Sequence, residues 1–579
     1  MKNNFLQKTM FVFGVISLLL IGIIGLLPFF RSFIIDVGSS YLGRQLDRAW
    51  WLPRLRIFFS MDIFFVLLVI FFTCTKYGLN IFNNIKSQFL GIFRSIVAKG
   101  NHRFFIFIFA MFIIGIFTII RANYSYIDDM GRAVQGYNHL DNWSRFLSGA
   151  LAVFVHANPT LMDISPLPQF FACLILAFGA FIFAYTVTKG KLTWLSCIAT
   201  LPIGLSPYFL ENLTFKFDAP YMALAVVFGI IPFIFISNKN AFVTVSFLSV
   251  LGTCLTYQSA SGVYIVLTIF FAFLFYYENN WSLKKVFSFF IMSGISYILA
   301  LMVFRVFFMV NDVSYASTGM FGLSEIGLGC ISNMKKYLSY LHSDLGRSVF
   351  FVFFILTTLL CLLRVFEAKS KKIFLLIFMI VSLGLMVSLS FGAYLALKTP
   401  LWNPRAFAGV GVVLAAFCML AIYGENKSVL RRCSGVVVII FCYTMLVFAI
   451  CYGNTIMQQK EFNFLRTTLL VSDLTDVCKD IEGDVKLHIN NNFETAPTVS
   501  VAAEILPLAN RLCNGIFGDD RWGYHYLSQY FHFNFLKVKE NVDDSDFSVL
   551  KENTYHVIKG KDGFITVTFK QIVPQEKDY

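Results

Sequence analysis

Residues Phe104 to Arg132 read FFIFIFAMFIIGIFTIIRANYSYIDDMGR. The stretch from Phe104 to Ile120 carries no charge, and a helix of that length approaches the ~30 Å needed to cross a bilayer core. Directly behind it, Asp128 and Asp129 stand between Arg121 and Arg132, at the edge of the membrane. Ionisable groups so close to hydrocarbon are costly and tend to mark a pathway or a site. A plainer reading stands beside this one. Either aspartate could cap a helix starting around Met130, with Asp128 and Arg132 forming an i,i+4 surface pair.

The same apolar pattern recurs along the chain. Of the 579 residues, 57% are hydrophobic, 14% are charged and 69 are Phe, whereas soluble domains carry about 25% charged residues. This is the composition of a polytopic α-helical membrane protein. Thirteen runs approach spanning length. Before the aspartates come Met10–Phe30, Phe58–Thr75 and Phe104–Ile120. After them come Gln169–Val187, Thr193–Leu210, Pro220–Ile236, Ala241–Tyr257, Gly262–Tyr277 and Val286–Val310, then Ser348–Leu363, Ile373–Phe391, Ala406–Tyr423 and Gly435–Tyr452. The N-terminal MKNNFLQK is expected to lead into an uncleaved first helix.

Lys and Arg accumulate on alternate loops: Lys76, Lys86, Arg94, Lys99 and Arg103 in one, Lys189 with Lys191, Lys284 with Lys285, Lys371 with Lys372, and Arg431 with Arg432. The positive-inside rule makes that side cytoplasmic. The five arginines between Arg31 and Ile57 fall on the opposite side, which predicts an interfacial helix around Arg44 to Arg56. The outer face then collects four polar loops, at 121–168, 211–219, 311–347 and 392–405. From Glu461 onward the chain holds 12 basic and 18 acidic residues, against 35 and 15 before it. That shift predicts a small C-terminal α/β extracytoplasmic domain over 454–579, after a membrane core over 104–453 and an N-terminal transmembrane extension over 1–103. An outer location would let Cys478 and Cys513 pair. Nothing in this charge pattern points to nucleic acid.

No P-loop, GxGxxG, HExxH or GxSxG occurs in a supporting context, so nucleotide-driven chemistry has no seat. An enzyme working on the outer face without nucleotides needs a donor carried on a lipid. A lipid-phosphate sugar fits the residues: a desolvated cation binds the phosphate, and one carboxylate serves as general base for an acceptor hydroxyl.

Three motifs in order, YIDDMGR at 126–132, NLTFKFDAPYM at 212–222 and NPRAFAG at 403–409, resemble the Gtr-type O-antigen glucosyltransferases, serotype-converting membrane enzymes of the GT-C class. The resemblance covers roughly Phe104 to Tyr452 plus the tail, and the first hundred residues depart from it. It implies a GT-C-like core and inverting transfer of glucose or a related hexose from undecaprenyl phosphate-sugar. The acceptor would be lipid-linked O-antigen at the periplasmic face of a bacterial inner membrane. It also implies a functional link to a polyprenyl-phosphate glucosyltransferase and a flippase that supply the donor.

On this reading Asp129 or Asp128 is the base, with Asp129 placed narrowly first and its neighbour orienting the acceptor, the base or an ion. Arg305, Arg405 and Lys216 are candidates for the donor phosphate, and Asp218, Arg132 and Trp402 for the acceptor sugars. Each has a plain alternative. Lys216 and Asp218 could simply pair with each other, Arg305 and Arg405 could snorkel to headgroups, and Trp402 could be an interface anchor. Two aspartates could hold a divalent metal, but no oxygen cage is evident, so no metal and no other cofactor is expected. The rival from another class is a lipid-linked oligosaccharide flippase, which would line a central cavity with charges and often shows internal symmetry. A GT-C enzyme using another sugar or acceptor is the nearer alternative.

Overall fold

The computed structural model describes residues 2–571 apart from 44, 99, 311–318, 347, 369–370, 425–428, 480–484, 493, 514, 518–521, 532–535 and 538–541. Part of the expected 311–347 loop therefore lies outside the described residues. Among those described, ten helices are long and apolar enough to cross a membrane. Without water in the hydrocarbon core, backbone N–H and C=O groups must pair within the segment, which is why these apolar runs become helices. Phe104 to Ile120 lies within the helix His102–Ala122.

Against the thirteen runs, three regions differ. Met10–Phe30 is not one rod: Lys2–Gly25 is followed by Pro28–Leu42, and the two bend by 91° at a break before Pro28. Thr193–Leu210 divides into Trp194–Ile198, Pro202–Leu205 and the start of Phe209–Thr214. Pro202 and Pro207 interrupt it, since proline cannot continue the intrahelical ladder. Pro220–Ile236 becomes Ala219–Ile230 and a 3-10 turn, Ile231–Phe235. Most residues of these short helices are buried in protein. Their apolar character reflects a core contact, which a run of hydrophobic letters cannot distinguish from lipid.

The N-terminal extension is also more helical than a loop reading implies. Arg48–Cys74 is continuous, capped by Asp47 accepting from the Ala49 N–H, and merges the expected interfacial helix with the second span. The basic stretch after it forms an amphipathic helix, Lys76–Val97. Phe89 packs on Phe235 and Phe93 on Phe178, with ring centroids 5.8 and 5.7 Å apart.

Val429–Cys478 is a single helix of 50 residues. At 1.5 Å per residue it runs ~75 Å, well beyond a bilayer core of about 30 Å. The expected boundary at 453/454 falls inside it. Past its C-terminal end comes a five-stranded sheet made of β1 (Lys486–Ile489), β2 (Leu536–Lys537), β3 (Ser548–Glu552), β4 (His556–Lys561) and β5 (Phe564–Phe569). Its order is β2-β1-β5-β4-β3. β1 lies parallel to both β2 and β5, and the other pairs are antiparallel. The β4–β5 hairpin turns at Asp562 and Gly563, both at positive φ, the backbone that Asp-Gly favours in a two-residue turn. Leu487, Ile558, Ile565 and Val567 pack with Leu470 and Leu474 of the long helix and with Met130 beside the aspartates. Within that cluster the helix Trp522–Phe531 packs on the aspartate helix and so links it to the domain that holds the sheet. Cys478 and Cys513 are both free thiols, packed into different clusters, so the disulfide reading gives way to two separate packing roles.

Candidate functional site

The backbone first sets the two carboxylates apart. The His102–Ala122 helix stops at Asn123 with φ 46°, and Ile127 at φ 44° reverses the chain before the short helix Asp128–Gln135 begins. Positive φ is uncommon for non-glycine residues, and for a β-branched Ile it is strained, which such sites tolerate when the surroundings fix them. Tyr124 and Tyr126 are buried between these two turns.

Asp129 points inward and is fully buried. Its Oδ2 accepts the backbone N–H of Tyr126 at 3.2 Å and that of Lys216 at 3.0 Å. Its Oδ1 is buried without a hydrogen-bond partner. Burial pushes this carboxyl up to about 7, against the pull of the Lys216 N–H and of Arg132. Asp128 is half-buried, and the described contacts give it no hydrogen bond or ion pair. Burial raises it too, while Arg132, Arg405 and Arg145 pull it back down.

Charged side chains from separate loops surround the pair. Arg132 donates to Asp218 at 2.6 Å, both partners buried. Arg405 pairs with the fully buried Glu211 at 2.8 Å, and its backbone N–H donates to the same carboxylate at 2.6 Å. The Tyr126 hydroxyl reaches Glu211 and the carbonyl of Leu512, each at 3.1 Å. Lys216 pairs with Asp163 at 3.1 Å, not with Asp218. Buried charges persist only when paired in this way.

Arg145 differs. It lies over the rings of Tyr257 at 4.6 Å and Trp143 at 5.3 Å, and the only described hydrogen bond of its side chain is a long one, 3.4 Å, to Gln258. It is a half-buried cation near Asp128 with no carboxylate partner among the described residues. The segment carrying it is fixed from several sides. Arg54 of the N-terminal extension donates to Asp141 and Asn142, Gln258 donates to the Trp143 carbonyl at 2.8 Å, and the Ser144 hydroxyl accepts the Val310 N–H at 2.9 Å. Arg48 to Arg56 therefore shares a face with the aspartates.

Tyr137 closes the other flank. A Cβ on Gly131 would come within 2.5 Å of its hydroxyl, so the glycine lets the phenol lie against the aspartate helix. Its ring stacks on His139 at 4.7 Å. Burial and the charge of Asp128 push the phenol up to about 12.

Of the sequence candidates, Asp128, Asp129, Arg132, Lys216, Asp218 and Arg405 come together here. Arg305 does not: it is exposed on the π-helical turn Phe304–Phe308 and takes part in none of the site's described contacts. A donor-phosphate role for it has no geometric support. Trp402 stands apart, against Phe391 and Tyr340 and under Lys336, with its carbonyl accepting from Arg511. The residues that sequence reasoning left unassigned are Arg54, Tyr137, Arg145, Asp163, Glu211 and Gln258. Glu211 carried a usable signal, being a carboxylate placed within an otherwise apolar stretch. Among the described residues no three His, Cys, Asp or Glu gather as a metal-ligating group.

With this geometry the comparisons with known proteins can be set out. The family model described as "Glucosyl transferase GtrII" matches residues 116–448. A protein of Salmonella phage P22, described as an uncharacterized 55.3 kDa protein in the gtrB 5' region, is 26% identical over 179 residues. That alignment covers 30% of this chain and 36% of the phage protein. No solved structure matches. The family match spans more than half of the chain, its range begins before the aspartates and ends beyond Arg405, and the chain belongs to the GtrII glucosyl transferase family.

Proposed function

We propose that this chain is a GT-C-type enzyme that moves a hexose, glucose first among the choices, from a polyprenyl phosphate-sugar to an O-antigen acceptor. The observation that carries the mechanism is the contrast between Asp128, half-buried and unpartnered, and Arg145, a cation without a carboxylate, both among the described residues. Asp128 takes the proton from the acceptor hydroxyl as its oxygen attacks the anomeric carbon. The bond between that carbon and the phosphate oxygen breaks, and the polyprenyl phosphate leaves with the electron pair. One displacement inverts the anomeric configuration. Arg145, with Arg405 behind it, stabilises the phosphate as charge develops.

Asp129, preferred from sequence as the base, has one oxygen committed to two backbone donors and none of its surface open, so we assign it to positioning. Arg132 and Asp218 hold the aspartate helix to the second loop. Lys216 is committed to Asp163, which makes it a weaker phosphate ligand than Arg145.

The basic loops lie at the other end of the bundle, which supports a periplasmic site in an inner-membrane protein. On this reading 104–453 is the catalytic core, 454–579 the outer domain and 1–103 an extension that reaches the site. The phage relative's name mentions gtrB, which fits a donor supplied by a polyprenyl-phosphate glucosyltransferase and flipped before use. The test is transfer from radiolabelled undecaprenyl phosphate glucose to lipid-linked O-antigen in spheroplast membranes. Transfer by the wild type that disappears in Asp128→Asn at equal expression is expected. Absence of transfer from any polyprenyl phosphate-sugar would overturn the reading.

A further inference from the structure

At the end of the bundle away from the carboxylates lies a cavity of about 590 Å³. Two helices fix its position. Leu167–Val187 starts just after Asp163, the partner of Lys216, and ends at the cavity. Gly409–Ala421 starts just after Arg405 and ends there as well. Twenty-one residues of the first helix separate the two ends by ~31 Å, the thickness of a bilayer core.

The lining has two halves. Leu192, Met419 and Ile422 give an apolar wall, and Lys189, Lys191 and Arg431 give a cationic rim. Lys189 is neutralised by Glu278, at 2.7 and 2.8 Å. Lys191 has no ion pair among the described residues, and among them Arg431 donates only to the carbonyl of Gly424, at 2.8 Å. Arg364 lies behind Gly424, tied to Glu367 at 2.7 Å, with its Nη2 buried and unpartnered. Two cations without a carboxylate partner among the described residues, beside an apolar wall at a membrane boundary, match a ligand that is anionic at one end and greasy at the other. A soluble phosphate would leave the wall exposed to water.

We propose that this cavity binds the headgroup of an anionic phospholipid from the leaflet opposite the carboxylates, its phosphodiester held by Lys191 and Arg431. The site is independent of the transferase reading, because none of its residues belongs to the carboxylate cluster.

The experiment reconstitutes the full chain in nanodiscs of equal phosphatidylglycerol and phosphatidylcholine, and reads retained lipid by native mass spectrometry after delipidation. Wild type is expected to keep phosphatidylglycerol over phosphatidylcholine by roughly 25-fold, two cations each contributing about fivefold. Lys191→Gln with Arg431→Gln should bring that preference close to unity, while Arg432→Gln, an exposed neighbour outside the lining, should leave it intact. Equal retention of the two lipids by wild type overturns the proposal without recourse to any variant. So does an unchanged preference in the double variant. Displacement of phosphatidylglycerol by millimolar inorganic phosphate would assign the site to a soluble anion and overturn the lipid.

Discussion

Asp129 Oδ2 accepts the backbone N–H of Lys216 at 3.0 Å, so a side chain of the 121–168 loop holds the main chain of the 211–219 loop in place. The neighbouring Asp128 takes no part in that bond. The two adjacent aspartates should therefore fail in different ways. Asp128→Asn is expected to lower kcat by ~10²–10⁴-fold and to leave the melting temperature of the solubilised protein within a degree or two of wild type. Asp129→Ala strands two backbone donors at about 1–3 kcal/mol each and should lower the melting temperature clearly. Transfer assays beside thermal unfolding decide it; the opposite assignment of effects would return the base to Asp129.

The raised Asp129 carboxyl gives stability a pH dependence of definite sign. In the unfolded chain this group ionises near the ordinary value of about 4, whereas burial moves it to about 7 in the fold. Between those values the folded state still holds a proton that the unfolded state has released, so stability falls as pH rises through that window and levels off above it. Melting temperatures of wild type measured from pH 5 to 8 should decline, and Asp129→Asn should flatten the slope. A parallel decline in the variant would assign the effect elsewhere.

Arg145 is expected to set donor affinity. Replacing it with Gln removes a charge-assisted contact to phosphate, and the donor KM should rise by about 10- to 100-fold with a smaller effect on the acceptor KM. Lys at this position should restore only part of the loss, because it stacks poorly on Tyr257 and Trp143 and cannot present a planar fork. Equal KM values in Arg145→Gln and wild type would move phosphate binding to Arg405.

Arg54 lies outside the 116–448 range shared with the family, yet it grips Asp141 and Asn142 beside Arg145. Arg54→Gln should reduce transfer by roughly tenfold through a looser Arg145, as a slight misplacement of a binding group does. Exchanging the charges, Arg54→Asp with Asp141→Arg, should recover part of it. Failure of the exchange to recover anything, with normal folding, would leave the extension without a positioning role.

Gly131→Ala tests the flank. A Cβ there meets the Tyr137 hydroxyl at 2.5 Å, so the phenol must move away from Asp128. Activity should fall severalfold or more, with little change in melting temperature, and a second change, Tyr137→Phe, should relieve the steric part of the loss.

The membrane class was legible in the sequence because apolar runs have few other fates, and the aspartate loop because charge beside hydrocarbon is rare. Glu211 and Asp218 also lay in loops already marked as outer. What was hidden depends on orientation. Asp128 and Asp129 are adjacent letters, and only the φ reversal at Ile127 decides which of them faces inward. Lys216 and Asp218 could be ligands or each other's partner by sequence, and each pairs elsewhere, with Asp163 and Arg132 of the earlier loop. Arg305 looked deep in its span, but a π-helical turn leaves it on the outside. The short helices at 194–214 read as a span because burial in protein and burial in lipid select the same residues.

The hydrogen bond from Tyr126 to the Leu512 carbonyl joins positions 386 apart in the chain. Contact at that separation is late in biosynthesis as well as distant in sequence. At about 5–20 residues per second, translation needs roughly 20–80 s to travel from one residue to the other. The loops carrying Asp163, Glu211, Lys216, Asp218 and Arg405 are all made during that interval, before the segment that secures Tyr126. A chain terminated before Leu512 would therefore lack the carbonyl that secures Tyr126 beside the aspartates, which makes this contact a checkpoint on quality as much as a piece of architecture.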